Sequence, residues 1–264
     1  MRQNVIVLFP IFFFAFLSCS GCIYRTHLVG ATQRDRSAAE IITLLENNRF
    51  ALRSFWGEAT VHLRKSGPPP DEQIRHTLLV GILFKSPTQM RAEVYAGLGT
   101  NILAFVQKSE HLEVFLPKSK LLLSGNIGTD PLSQVTGIED LPEIMLDILG
   151  SYRLDYKDLA SFQSRGDEYV LYFQRNGRME KYCVDKKSLQ VVQKETFGTD
   201  GKLLRRIVLK KHVRISGVNL ARQAELLSDG FQVNVKFTRQ KVNLKIPEGR
   251  FKLKVPADTQ RISI

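Results

Sequence analysis

The sequence predicts a mainly β (α+β) fold, in which a highly curved antiparallel sheet carries helices across its hollow face. Apolar residues recur with a period of two in many short segments after Phe50. Helical periodicity is confined to two short segments, 37–48 and 141–149. Strands and helices do not alternate in a sustained way along the chain, which argues against a doubly wound α/β enzyme.

The N-terminus is typical of a bacterial lipoprotein signal peptide. Arg2 supplies a positive charge, residues 5–17 form an apolar run that is too short to span a bilayer comfortably, and two small residues precede Cys22. We interpret residues 1–21 as the signal peptide and Cys22 as the lipidation site. Cys19 is the alternative lipidation site. The alternative for the whole segment is an uncleaved anchor or an ordinary secretory signal.

The remainder divides into a tether and one domain. Residues 22–34 are polar and weakly patterned, and they are predicted to form a lipidated tether. Residues 35–264 are long enough for a single β-rich domain with a sizeable core. The domain is expected to begin with a helix from Ser37 to Asn48, because Ser37 and Glu40 can form a capping box.

Strands are predicted next by alternation. Ala59, Val61 and Leu63 alternate with polar residues, and the three prolines at 68–70 predict a loop. Residues 78–84 are apolar on both faces, as expected for a strand that is covered on both sides. Further strands are predicted near 90–94, 101–107, 111–116 and 119–123.

The second half of the chain is predicted to return to strands after a loop and a helix. Residues 124–140 are predicted to form a loop, residues 141–149 form the second helix, and Gly150 is expected to end it. Strands follow near 168–175, 178–185, 189–197, 203–213, 219–227 and 231–246, with a final alternating segment at 250–255.

Charge and cysteine content restrict the partners. The formal net charge is +12, which favours anionic partners such as lipid headgroups, or else only keeps a β-protein soluble. An exported, tethered protein rarely meets nucleic acid, so no nucleic-acid partner is expected.

Cys183 is the one cysteine outside the N-terminal segment; it is expected to be a small buried side chain, without a disulfide framework.

A resemblance to a known family appears at residues 90–103. Their sequence, MRAEVYAGLGTNIL, is similar to the strand–turn–strand of the LolA/LolB-like outer-membrane lipoproteins, and the order of helices and strands also matches. The C-terminal segments 242–247 and 251–256 are similar to the ending of related lipoproteins. The resemblance implies an unclosed β-barrel with helices over its hollow face and an apolar cavity that shelters acyl chains.

The resemblance also implies candidate site residues. Leu98, flanked by Gly97 and Gly99, is expected to project from a hairpin tip for membrane insertion or cargo handoff; the alternative is that it folds back onto the sheet. The candidate cavity-lining residues are Val61, Leu63, Val80, Ile82, Val94, Ile102, Val114, Ile144 and Ile148. The alternative for these nine residues is a plain hydrophobic core, which would use the same side chains.

These features together predict a lipid-binding lipoprotein and no enzyme. It would receive or insert lipoproteins or other lipids at the outer membrane, as a lipid-anchored, periplasm-facing monomer. The residue after Cys22 is Ile23 and not the aspartate that signals inner-membrane retention, which favours the outer membrane. The expected partners are membrane lipid, acylated proteins or other amphiphiles, and a periplasmic LolA-like carrier.

The alternative function is a structural or interaction lipoprotein that uses the same fold as a scaffold in an envelope complex. Catalytic chemistry has no support, because the sequence holds no Gly-x-Ser-x-Gly or His-Glu-x-x-His motif. The five histidines show no metal-ligand spacing. No metal site and no cofactor are therefore expected.

Overall fold

The computed structural model describes residues 35–65, 74–175 and 177–264, and within these residues fourteen strands form one mixed sheet. The predicted signal peptide and tether, including Cys19 and Cys22, lie outside the described residues. Residues Arg36–Ile264 form one compact unit. The strands are β1 Ser54–Lys65, β2 Ile74–Lys85, β3 Gln89–Ala96, β4 Thr100–Lys108, β5 His111–Leu116, β6 Leu121–Asn126, β7 Leu159–Arg165, β8 Glu168–Arg175, β9 Arg178–Asp185, β10 Val191–Phe197, β11 Leu203–Ile215, β12 Val218–Ser228, β13 Phe231–Val242 and β14 Gln260–Ser263.

The sheet is unclosed. Its spatial order is β14-β6-β5-β4-β3-β2-β1-β13-β12-β11-β10-β9-β8-β7, so β14 and β7 are its two edges. Neighbours pair antiparallel except β14 and β6, which run parallel. In the described residues three α-helices accompany the sheet: α1 Ala38–Ala51, α2 Pro131–Thr136 and α3 Leu141–Ile148. This arrangement confirms the predicted fold class, an unclosed curved β-barrel with helices.

Helix α1 begins as the sequence predicts. The Ser37 side chain accepts a hydrogen bond from the Glu40 amide, and the Glu40 carboxylate accepts one from the Ser37 amide at 2.7 Å, which completes the capping box. The helix continues to Ala51, three residues beyond the predicted end. Ile41, Ile42 and Leu45 are buried in the main core.

Several elements differ from the prediction. Residues 124–140 were expected to form a loop, yet they include the end of β6 and helix α2. Asp130 starts α2 by accepting the Ser133 amide at 3.1 Å, and Pro131 fits the first helical position, so local capping chemistry produces a helix too short to show periodicity. The edge strands β7 and β14 were not predicted. The segment at 250–255 is not a strand.

The chain after β13 crosses the outer face of the sheet. We call residues 243–264 the C-terminal strap. The Arg91 guanidinium donates to the backbone carbonyls of Arg250 and Lys252 at 2.8 Å each, and Phe251 is completely buried against Leu83 and Val106. The strap thereby covers part of the outer face of β2 to β4, and it ends as β14 beside β6.

Candidate functional site

A cavity of about 510 Å³ lies on the inner face of the sheet, under a lid that we define as residues 131–149. His76 and Thr136 are the polar residues among those that line it, and the Thr136 hydroxyl is already hydrogen-bonded to the Leu132 carbonyl at 2.8 Å. The sheet contributes Ala59, Val61, Leu63, His76, Leu78, Val80, Ile82, Ala92, Val94, Ala96, Ile102, Leu103, Phe105, Leu116, Leu226, Val233, Val235 and Phe237, and the lid contributes Val135, Thr136, Ile138, Leu141, Ile144, Met145, Ile148 and Leu149.

The apolar lining follows from strand alternation. Every second residue of β1, β2 and β13 points to the inner face, and these positions are almost all Val, Leu, Ile, Ala or Phe. Their outward neighbours on β1 and β13 are largely polar, whereas residues 78–84 of β2 are apolar on both faces. The alternation that identifies the strands in the sequence therefore also builds the cavity wall.

The cavity has a closed end and an open end. Ala59, Ile82 and Phe105 are at least 93% buried and form the closed end. Toward the other end the inward side chains become more accessible: Leu63 on β1 is half-buried, His76 on β2 is exposed, and Ile102 on β4 is 37% exposed. We call this open end the mouth.

Eight of the nine candidate cavity residues line this one cavity. Val114 does not. It is completely buried in the core on β5, where helix α2 packs against the strand and fills the space that the prediction left open. The cavity-lining assignment of Val114 is therefore wrong, and the physical reason is the unpredicted helix. Sequence reasoning also missed the contributions of β12 and β13, which carry Leu226, Val233 and Phe237.

Leu98 is fully exposed at the tip of the turn between β3 and β4. It has a left-handed backbone (φ 60°, ψ 18°), between Gly97 and Gly99. Ala96 and Ile102, on either side of the turn, both line the cavity, so Leu98 lies at the rim of the mouth.

The Leu98 side chain is not part of the core. A left-handed backbone costs a non-glycine residue about 1–2 kcal/mol, and full exposure means that its side chain gains nothing from burial in the folded chain. Eight other non-glycine residues in the described part of the chain also have a positive φ, so the full exposure of its apolar side chain, more than its backbone, distinguishes Leu98.

Helix α3 is held to the sheet by ion pairs on the side away from the cavity. The Lys194 ammonium on β10 lies 2.9 and 2.8 Å from the two carboxylate oxygens of Asp147 and 2.8 Å from Glu180 on β9. The Tyr182 hydroxyl donates to Glu180 at 3.0 Å. All four residues are buried.

A second set of ion pairs holds the start of α3. Asp140, the residue just before the helix, accepts hydrogen bonds from Arg178 at 2.7 Å and from Arg205 at 3.2 Å. Arg205 also lies 3.5 Å from Glu143. Both ends of the helix are thus connected to β9–β11 through charged side chains.

Burial shifts the acid equilibria around Lys194. Loss of hydration raises the pKa of Asp147 to about 6, although the Lys194 charge acts in the opposite direction. For Glu180 burial is again the largest single influence and acts the same way, but the charge and hydrogen bond of Lys194, the Tyr182 hydroxyl and the Arg175 charge together outweigh it and hold the pKa of that carboxyl below its ordinary value. The two carboxylates that share one ammonium therefore differ in acidity.

We expect the contribution of Asp147 to stability to depend on pH. Its folded-state pKa exceeds its ordinary value of 3.8, so the folded chain holds this proton more tightly, and that contribution is lost as pH rises through about 6. Relative to Asp147→Asn, the wild type should be about 1 kcal/mol more stable at pH 5 than at pH 7, which means that its free energy of unfolding is larger at pH 5. Urea unfolding of both proteins at the two pH values measures this. An equal difference at both would contradict it.

None of the helices in the described part of the chain is long and apolar enough to cross a membrane. Among the same residues, no group of three or more His, Cys, Asp or Glu side chains is placed to hold a metal ion. Cys183 is buried, as predicted, and its thiol is free.

Comparison with known proteins places the fold. No protein-family model and no curated protein sequence matches the chain. Among solved structures, a LolA superfamily protein from Nitrosomonas europaea matches with a TM-score of 0.56 at 16% identity, over 83% of this chain and 99% of that one. An outer membrane lipoprotein-sorting protein domain from Vibrio parahaemolyticus matches with a TM-score of 0.59 at 12% identity, over 81% of this chain and 97% of that one.

A third structure, a DUF1329 family protein from Desulfovibrio piger, matches with a TM-score of 0.57 at 12% identity, over 81% of this chain and 95% of that one. Identities this low show a shared fold. They confirm, at the level of the fold, the LolA/LolB-like resemblance that residues 90–103 indicated.

Proposed function

We propose that this chain, which shares the fold of LolA superfamily proteins, binds acyl chains in its apolar cavity and passes them to or from a membrane at the cavity mouth. The observation that carries the proposal is a cavity of about 510 Å³ with an almost wholly apolar lining. This volume is within the range of about 300–1,000 Å³ typical of small-molecule sites. Each methylene that moves from water into such a site contributes about 0.8 kcal/mol.

The polarity of the lining favours a hydrocarbon ligand. His76 lies at the mouth and the Thr136 hydroxyl is already hydrogen-bonded, so the deep part of the cavity offers no free polar group to a polar ligand. Burying a polar ligand group there would cost free energy without a compensating hydrogen bond. An acyl chain fits this arrangement, because its hydrocarbon part would fill the deep apolar region and its head group would lie near His76 at the mouth.

The cellular role we propose follows from the N-terminal sequence. A lipid on Cys22 would tether the domain to the outer membrane, facing the periplasm, where it would accept acylated proteins or other amphiphiles from a LolA-like carrier. The acyl surface is removed from water both in the cavity and in the bilayer, so transfer between them carries no large free-energy cost, and no cofactor and no catalytic step are part of the proposal.

Native mass spectrometry of residues 23–264 tests the proposal, because the compact unit Arg36–Ile264 contains the whole sheet and its core. We expect bound phospholipid or fatty acid in the purified protein, or uptake of added fatty acid. A protein that stays free of lipid after addition would contradict the carrier function and favour the scaffold alternative.

The exposed leucine gives a second test. Leu98→Glu should weaken binding to phospholipid vesicles about tenfold or more, because inserting a leucine side chain into a bilayer contributes about 1.5–3 kcal/mol. Co-sedimentation with vesicles measures the effect. Leu244→Glu is the matched control, since Leu244 is also exposed but lies on the C-terminal strap, beside the start of β1. Equal losses in both variants would show that Leu98 has no special role.

A further inference from the structure

Helix α3 has two different faces. Ile144 and Ile148 line the cavity, whereas Asp147, between them in sequence, points to Lys194 on β10. Any change in the distance between α3 and β10 therefore moves the cavity wall by a similar amount.

Stability alone is a poor explanation for the buried charges. Removing an ammonium and two carboxylates from water is costly, and replacing such groups with apolar residues of similar size is often neutral or stabilising. Lys194, Asp147 and Glu180 are nevertheless at most 6% exposed. What the charges provide, and apolar contacts do not, is a contact of fixed length and direction.

The ends of α3 are fixed in the same way. Asp140 and Glu143 contact Arg205 at the first turn, and Asp147 contacts Lys194 at the last turn. An eight-residue helix with an ion pair in each terminal turn has little freedom to tilt toward or away from the sheet.

We infer that these two sets of ion pairs fix the depth of α3 over the cavity and so determine which length of acyl chain the cavity accepts. Lys194, Asp147 and Glu180 act as positioning residues and do not contact the ligand. The inference rests on the proposed acyl-chain binding and adds a specificity determinant to it.

The experiment compares fatty-acid length profiles. Saturated fatty acids of increasing length displace a polarity-sensitive fluorophore from the wild type and from the triple variant Asp147→Leu, Glu180→Gln, Lys194→Met. We expect the wild type to prefer one length, and the triple variant to shift that optimum by about two methylenes, with about tenfold weaker binding of the original optimum.

A matched control exists on the same strand. Glu195, next to Lys194, is also buried and pairs with Lys181 at 2.9 Å and Arg206 at 2.6 Å, but on the outer face of the sheet. The variant Glu195→Leu, Lys181→Met removes charge at the same place in the sequence without touching α3. Its length profile should equal that of the wild type.

The outcomes separate the two proposals. A wild type that binds no fatty acid of any length contradicts the proposed function. A wild type that binds, together with a folded triple variant of unchanged length profile, contradicts only the positioning role. If the triple variant does not fold, Asp140→Asn, which weakens both the pair with Arg178 and the pair with Arg205 at the start of α3, replaces it, and an unchanged length profile in that folded variant contradicts the inference.

Discussion

Filling the middle of the cavity should lower acyl-chain affinity about 100-fold. Val80 on β2 and Val94 on β3 lie directly opposite each other, and both line the cavity between its closed end and its mouth. The double substitution Val80→Phe, Val94→Phe places two rings in the space that an acyl chain would occupy. Excluding about four methylenes costs about 3 kcal/mol, which corresponds to the 100-fold loss.

Titration with a fluorescent fatty acid measures the loss, and urea unfolding shows whether the variant still folds. Leu79→Phe is the matched control, because Leu79 precedes Val80 on the same strand but points outward, where it is 54% exposed. Overpacking costs about 1–3 kcal/mol, so a folded double variant is expected to be less stable than the control. A folded double variant that binds as tightly as the control would place the ligand outside this cavity.

The cavity wall was largely predictable from the sequence because alternation is a local property. Once β1 to β4 are recognised, their inward residues must share one face, whatever the rest of the chain does. The same reasoning failed for Val114, which is inward-facing as expected but lies under α2. Alternation determines the face of a residue, and only the packing above that face decides between core and cavity.

The ion pairs of α3 were not predictable in this way. Asp147 and Lys194 are 47 residues apart, and Lys194 stands in an ordinary strand between Gln193 and Glu195. A lysine at an inward strand position signals only that it needs a buried partner. The identity of that partner depends on where the lid crosses the sheet, which no local pattern specifies.

The C-terminal strap shows a different kind of error: the alternating pattern at residues 250–255 is real, but it does not form the strand that it predicts. Residues 250–255 alternate like a strand, but Phe251 and Leu253 turn their apolar side chains onto the outer face of the sheet, and the backbone there bonds to the Arg91 side chain instead of to a neighbouring strand. The strap also explains part of the apolar outer face of residues 78–84, which were expected to be covered on both sides. The outward Leu83 is buried under Phe251, whereas the outward Leu79, away from the strap, remains exposed.

We therefore expect Phe251→Ala to destabilise the fold by about 3–5 kcal/mol, the usual cost of removing a fully buried phenylalanine. The substitution leaves a void between the strap and the sheet, and it weakens the attachment of the segment that leads to β14. Urea unfolding measures the loss, and Lys252→Ala, at an exposed neighbouring position, should change stability by less than about 0.5 kcal/mol.

Acyl-chain binding by Phe251→Ala, measured where the variant remains folded, should equal that of the wild type. Phe251 contacts the outer face of β2 and β4, and the cavity lies on the inner face of the same strands. The strap and the cavity are thus separated by one layer of backbone whose hydrogen bonds the substitution leaves intact. A variant that loses stability and affinity together would show that the strap supports the cavity wall through the sheet, and that the two faces do not act independently.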